Sequence, residues 1–427
     1  VDLFNEGVDV PAVDTLLMLR PTDSPTLFLQ QLGRGLRRSI GKSTCTVLDF
    51  VGHHRVEFRF DRRFQALLGG TRKTLIQQIE AGFPFLPAGC HIELDRVATE
   101  IVLGNIRTAV PSRWTERVDA LRRMSAEAAG CSLARYLEET GLELEDIYGG
   151  GKTWSDLRED AGLIERRGGP HEEALRRACG RLLHVDDRLR LEVYQRLLQS
   201  ERAPEPQQLP GSEQRLLRML VGSLIGGSVP KTTSLTEGAT VLWNHDRVRS
   251  ELLELLEILA NRLEHVVIPV STDPSVPLMV HARYTRVEIL AGFGVGEGAK
   301  VAPWQTGVYW AANARSDLLA FTLDKTTGQF SPTTRYRDYA ISTELIHWES
   351  QSTTRADSES GRRYQNHAAT GTHIMLFARE RSDDRAFYFL GPASYVKHES
   401  EQPMAITWRL QLPLPGDLFA TFAAAVA

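Results

Sequence analysis

The side chains whose spacing best suits chemistry lie near the N-terminus, in Gln30-Gln31-Leu32-Gly33-Arg34-Gly35-Leu36-Arg37. Ser24 is a good N-cap and Pro25 suits the first helical position, so a helix is expected to begin there. Gln30, Gly33, Arg34 and Arg37 then fall at i, i+3, i+4 and i+7, on one face. Two arginines at one end of a helical face make a fork for phosphate oxygens, and Gly33 lets the backbone come close. Taken alone, paired arginines are more often the solvated side of a surface helix. Gly41 is expected to end the helix, and 45–50 reads as a buried strand.

A second candidate set lies in the C-terminal third. Tyr336, Arg337, Asp338 and Tyr339 follow Arg335, and Trp348, Ser350 and Gln351 come soon after, with Lys325 upstream. Rings can stack on bases, cations can hold phosphates, and hydroxyls and amides can read base edges. For any single aromatic residue at an alternating strand position, a place in the core is the commoner fate. A metal nuclease is disfavoured: Asp317 is followed by Asp324-Lys325, and adjacent residues on a strand point to opposite faces.

Three zones must position these groups. Residues 1–68 alternate short apolar runs with helical stretches, as an α/β domain does. Residues 69–265 carry helical periodicity, clearest at 172–183, 187–198, 213–225 and 247–263. The proline-rich stretch 200–211 is a natural break within that zone. From 266 to 427 short apolar runs at 318–323, 374–378, 386–390 and 405–412 alternate with turn residues, a β-rich texture. Arg122-Arg123, Arg166-Arg167 and Arg176-Arg177 could touch a phosphate backbone, but solvated helix faces balanced by carboxylates are the better reading.

The whole chain has 427 residues, 42% hydrophobic and 24% charged, the composition of a soluble multidomain protein. No apolar run reaches the roughly 18–20 residues that span a bilayer, so no membrane partner is expected. Cys45, Cys90, Cys131 and Cys179 lie far apart, without the paired spacing of a zinc site, and suit a reducing cytoplasm. A net charge of −4 neither announces nor excludes a nucleic-acid binder, because affinity follows a local basic face.

Two segments, Val1-Asp2-Leu3-Phe4-Asn5-Glu6-Gly7-Val8-Asp9-Val10-Pro11 and Gln30–Arg37, resemble motifs V and VI of the superfamily 2 helicases, over about the first 60 residues. The resemblance implies a RecA-like lobe in which Arg34 and Arg37 contact nucleotide phosphates, one as an arginine finger. It further implies that Gln30 and Gly33 belong to the nucleotide site, with Gly7 and Asp9 where ATP is linked to nucleic acid. ATP and magnesium are the implied cofactors, in a parent protein. No G-x-x-x-x-G-K-[ST] loop and no acidic magnesium motif is present, so these 427 residues alone are not expected to hydrolyse ATP. The chain opens at Val1 inside a motif, and a fragment is expected.

The rest of the chain resembles the region after the motor in bacterial helicase-like proteins. That family includes type IV restriction enzymes with a phospholipase-D-like nuclease upstream and an SRA-like last domain. The matching pieces are Phe321-Thr322-Leu323-Asp324-Lys325, Tyr336-Arg337-Asp338, Trp348-Glu349-Ser350-Gln351, Leu376-Phe377-Ala378-Arg379 and Pro403-Met404. The resemblance implies a helical coupler followed by an SRA/PUA-like barrel that flips 5-methylcytosine out of double-stranded DNA. Tyr336, Tyr339 or Trp348 would wall the pocket, Asp338 would accept from the cytosine amino group, and Gln351 or Ser350 would lie on an edge. Arg335, Arg337 and Lys325 would hold phosphates. A repair or RNA-processing helicase with a general nucleic-acid tail, and a helicase with a protein-binding tail, remain the rival readings.

Overall fold

The computed structural model describes residues 10–19, 22, 24–50, 59–69, 72–83, 86, 90–108, 110–127, 130–169, 171–263, 266–270, 273–323 and 338–424. The chain divides into two compact units. The first is Val1–Met124 with Tyr136–Glu143, and the second is Ser125–Arg135 with Leu144–Ala427.

The first unit opens with a parallel strand–helix–strand motif: β1 (Thr15–Met18), α1 (Pro25–Gly35) and β2 (Thr46–Asp49), with Thr15 opposite Thr46 and Met18 opposite Asp49. α1 starts where expected: Ser24 Oγ accepts from the Leu27 N–H at 3.3 Å, and Pro25 takes the first turn. Phe28, Leu32 and Gly35 form its buried face. Its end corrects the expectation. The helix stops at Gly35, and Gly41 sits in a later turn with φ +82°. The reason is local: Lys42 Nζ reaches back to the Gly35 and Arg37 carbonyls at 2.5 and 3.0 Å, satisfying acceptors the last turn leaves open. β2 is also not buried, since all four of its residues are exposed. An apolar run marks a strand that can be covered, and the described residues leave this one uncovered.

Behind this motif lie α2 (Phe60–Leu68), α3 (Arg72–Glu80) and α4 (Arg96–Thr108), whose core is Phe60, Leu75, Ile79, Phe83, Val102 and Ile106. Buried Arg63 ties α2 to the motif, bonding Asp49 at 2.6 Å and lying 4.1 Å over the Phe28 ring. α5 (Trp114–Glu127) and α6 (Leu133–Thr140) contribute residues to both units.

In the second unit come α7 (Leu144–Tyr148), α8 (Trp154–Asp160), α9 (Glu172–Cys179), α10 (Arg188–Gln199), α11 (Gly211–Ile225), α12 (Leu235–Trp243) and α13 (Asp246–Ala260). Every residue of α11 from Leu216 to Ile225 is buried, as expected of a helix apolar on all sides and packed by neighbours. The periodic stretches therefore became helices, each ending at a cap or turn.

The strands that follow are β3 (Ile268–Pro269), β4 (Met279–Val280), β5 (Arg283–Thr285), β6 (Val308–Ala311), β7 (Ser316–Thr322), β8 (Tyr339–Ala340), β9 (Leu345–Glu349), β10 (His373–Arg379), β11 (Ala386–Glu399) and β12 (Ala405–Leu410). Between and after them lie α14 (Arg286–Gly292), α15 (Glu359–Thr370) and α16 (Gly416–Ala424). Eight strands make one mixed sheet in the order β6-β7-β10-β11-β12-β9-β8, with β5 joined to the first part of β11. Among the described residues of this sheet only the β7–β10 pairing is parallel, and all seven residues of β7 are buried. This corrects the expected SRA/PUA-like barrel. Among the described residues the sheet is open, with β6 and β8 at its two edges. Alternating aromatic strands fit an open or a closed sheet equally, because period-2 patterning reports faces and not closure.

A buried ionic cluster joins the helices of this unit to its sheet. Arg190, at the start of α10, is wholly buried and bonds Asp187, Glu288 and the Arg283 carbonyl while lying 4.0 Å over the Tyr284 ring. His184 Nε2 is 2.6 Å from Glu288, which also accepts from the Thr285 N–H at 2.8 Å. Burial alone would raise the Glu288 carboxyl, but His184, Arg190 and the Thr285 N–H outweigh it and hold it at about 2.

Candidate nucleotide and nucleic-acid contacts

α1 separates its two faces as an amphipathic helix should. Gln30 and Gly33 are exposed and Arg34 is half-buried in the last turn, opposite the Phe28–Leu32–Gly35 face that packs. Arg37 lies beyond the helix end and is exposed, so the four-residue helical face holds for three of its members. The glycine the structure constrains is not Gly33, around which a Cβ would meet nothing within 4 Å. At Gly35 a Cβ would lie 2.5 Å from Cys45 Sγ and 2.7 Å from Leu16 Cδ1. Gly35 thus lets α1 close onto β1 and β2, and it sets where Arg34 and Arg37 emerge. Gly7 and Asp9 lie outside the described residues.

A glycine run, Gly149-Gly150-Gly151-Lys152-Thr153, precedes α8 and has the composition of a phosphate-loop tail. Its geometry gives that role to a side chain of the protein: the Trp154 and Ser155 N–H groups donate to buried Glu251 at 3.1 and 3.0 Å. The arginine pairs of the helical zone meet carboxylates, as their interspersed acids suggested. Arg176 is buried against Glu159 and Glu172, while Arg166 meets Asp160, Arg167 meets Asp246 and Arg177 meets Glu173.

At the far edge of the large sheet, Asp338, Tyr339, Trp348, Ser350 and Gln351 are brought together by the β8–β9 pair. Lys325, Arg335, Tyr336 and Arg337 lie outside the described residues. Tyr339 pairs with His347 across the strands, and their rings stack at 4.7 Å. Asp338 is buried and one carboxylate oxygen accepts from the Glu349 N–H at 2.9 Å. Trp348 faces inward: its ring packs at 5.8 Å from Tyr364 and 6.4 Å from Trp408. Alternation along β9 explains this, since Ile346 and Trp348 are buried while the residues flanking them are not. Ser350 is wholly buried, and its Oγ accepts from the Met404 N–H at 2.9 Å while its own N–H donates to the Met404 carbonyl. Gln351 is exposed. The outward-facing members of the set are thus Tyr339, half-buried, and Gln351.

The carboxylate weighed as a metal ligand, Asp317, is wholly buried and held in a two-pronged bond by Arg363, at 2.6 and 2.8 Å. Arg363 also lies 4.3 Å over the Trp310 ring. Burial pushes the Asp317 carboxyl up against the pull of Arg363. Arg363 was missed from the sequence because its partner is 46 residues away.

Comparison with known proteins bears on both ends of the chain. Residues 278–422, about a third of the chain, match the family described as "Domain of unknown function (DUF3427)". A Saccharomyces cerevisiae protein described as "Putative ATP-dependent helicase IRC3" is 46% identical over 50 residues, which cover 12% of this chain and 7% of that protein. The chain is therefore helicase-related in sequence. No helix among the described residues is long and apolar enough to cross a membrane.

Proposed function

We propose that the chain is the C-terminal part of an ATP-dependent DNA helicase or translocase, joining the trailing half of its second motor lobe to a unit that holds DNA. The observation that carries this is the parallel β1–α1–β2 motif, which presents Gln30 and Arg34 on the outer side of α1 and Arg37 just past its end. The partial likeness to a helicase supports it. Guanidinium groups at the end of a helix, Arg37 exposed and Arg34 half-buried, suit the phosphates of ATP, and ATP with magnesium would supply the phosphoryl transfer that drives movement. In this chain Arg34 and Arg37 would hold nucleotide phosphates, and Gln30 and Gly33 would lie beside them.

In its fuller form the reading places the parent in a restriction system, with an upstream first lobe and nuclease. The C-terminal unit would then prefer double-stranded DNA carrying 5-methylcytosine, with Tyr339, Asp338 and Gln351 nearest the base. The test is binding of residues 1–427 to matched duplexes with and without 5-methylcytosine, at two salt concentrations. A preference for the methylated duplex is expected, together with weaker binding at higher salt. Salt-sensitive binding without preference would leave a helicase with a general DNA-holding tail, and absence of binding would move the tail to a protein partner.

A further inference from the structure

A cleft of about 530 Å³ opens in the second unit, where the helices meet the sheet. Five cationic side chains line it: Arg181 after α9, Arg286 at the start of α14, Lys300 in a loop, Arg379 at the end of β10 and Arg385 before β11. No Asp or Glu lines it among the described residues. The bonds these cations make go to neutral groups. Arg181 donates to the Ser223 carbonyl at 3.0 Å, Arg286 to the Trp304 carbonyl at 3.2 Å and Lys300 to the Val229 carbonyl at 3.4 Å. Arg379 donates to Thr322 Oγ1 at 2.9 Å and to the Asp384 carbonyl.

Like charges therefore face one another across the space. Burial and Arg385 both lower the proton affinity of Arg181, and burial and Arg379 do the same to Arg286. Asp384 and Asp383 act on Arg379 from outside the lining. A protein does not usually gather cations around one cleft without a counter-charge, and a ligand rich in anionic oxygen would supply it.

We infer that this cleft binds a multiply charged phosphate-bearing anion, with Arg181, Arg286 and Arg379 as fixed donors and Lys300 and Arg385 completing its positive lining. Arg181, Arg286 and Arg379 each have part of the side chain anchored to a neighbouring oxygen, so their remaining N–H groups are held in place before the ligand arrives. Phosphate of this kind can arrive as a free pyrophosphate or nucleotide, or as the phosphorylated end of a nucleic-acid strand. The inference stands apart from the motor reading, since all five side chains belong to the second unit.

Calorimetry on the full 427-residue chain separates these sources, with inorganic pyrophosphate, a 5′-phosphorylated oligonucleotide and the same oligonucleotide ending in a hydroxyl. Pyrophosphate is expected to bind and to raise the melting temperature. The double variant Lys300→Gln/Arg385→Gln should weaken that binding at least about tenfold. Lys300 gives up one 3.4 Å bond to the Val229 carbonyl, and Asp384 and Asp383 are held by Arg283 and Arg381, so the double variant should stay folded and melt close to the parent without ligand. A gain from the 5′ phosphate that pyrophosphate competes away would identify a strand end as the source, and binding of pyrophosphate alone would identify a free phosphoanion. Absence of pyrophosphate binding, or the same affinity in the folded double variant, would overturn the inference.

Discussion

Gly33 and Gly35 are two residues apart on α1 and carry opposite constraints. A methyl group at Gly33 enters open space, so Gly33→Ala should leave the first unit folded and can strengthen the helix by up to about 1 kcal/mol. At Gly35 the same methyl runs into Cys45 and Leu16, and overpacking of this kind costs about 1–3 kcal/mol. Thermal melts of the two variants should therefore move in different directions, and equal destabilisation would contradict the packing described for α1. Asp338→Asn offers a parallel separation of stability from binding. The amide oxygen can still accept from the Glu349 N–H, so melting should change little, whereas a base-reading role requires the preference for methylated duplex to fall. Unchanged preference in Asp338→Asn would remove Asp338 from any reading pocket.

Elements carry a second layer of consequence, clearest in the cluster that pins α10 to β5 and α14. Replacing Glu288 by Gln leaves His184 without its carboxylate partner and Arg190 with Asp187 and Asp186 alone, and breaking such a cluster costs up to about 3–5 kcal/mol. Its pH dependence has a definite sign. The folded carboxyl sits at about 2, below its usual 4.5, so Glu288 contributes its full stability above about 4.5 and loses it as the pH falls from there toward 2. Equilibrium unfolding of the parent and of Glu288→Gln across that window should show the gap between them shrinking with acid. A constant gap would mean that the carboxylate charge is not what the cluster uses. The same elements show what could be read from residue order alone. Ser24, Pro25 and the three-and-four spacing of apolar residues report local rules, and α1, α10, α11 and α13 obey them. Trp348 could not be placed by such rules, because whether an aromatic residue faces solvent or Tyr364 depends on a strand face set by distant partners. The cationic cleft was hidden for a related reason: Arg181 and Arg385 become neighbours only when more than 200 residues of chain have folded between them.

On the scale of the whole molecule, the two ends gather their cations differently. α1 offers Arg34 and the loop beyond it offers Arg37, whereas the second unit gathers its cations in a walled cleft. If the motor reading is right, Arg37→Ala or Arg34→Ala in a parent protein with its first lobe should slow ATP turnover, by about 10³–10⁵-fold for whichever acts as the arginine finger. Pyrophosphate binding to the second unit should be untouched by either change, so turnover and calorimetry together tell the two sites apart. A loss of both at once would mean that the sites are coupled.

The long strand β11 has a mechanical meaning. Its first residues pair with β5, beside the Arg190 cluster, its middle with β10, and its last with β12, which leads to the β8–β9 edge. One strand thus joins the part of the sheet beside the helices to the part beside the far edge, with register shifts at Leu376/Phe377 and Tyr395/Lys397 along its ladders. Its central stretch is buried and paired with β10, so its amide protons should be among the slowest in the second unit to exchange with solvent. A strand shared in this way means that β5 and the far edge of the sheet cannot shift apart without breaking ladder bonds.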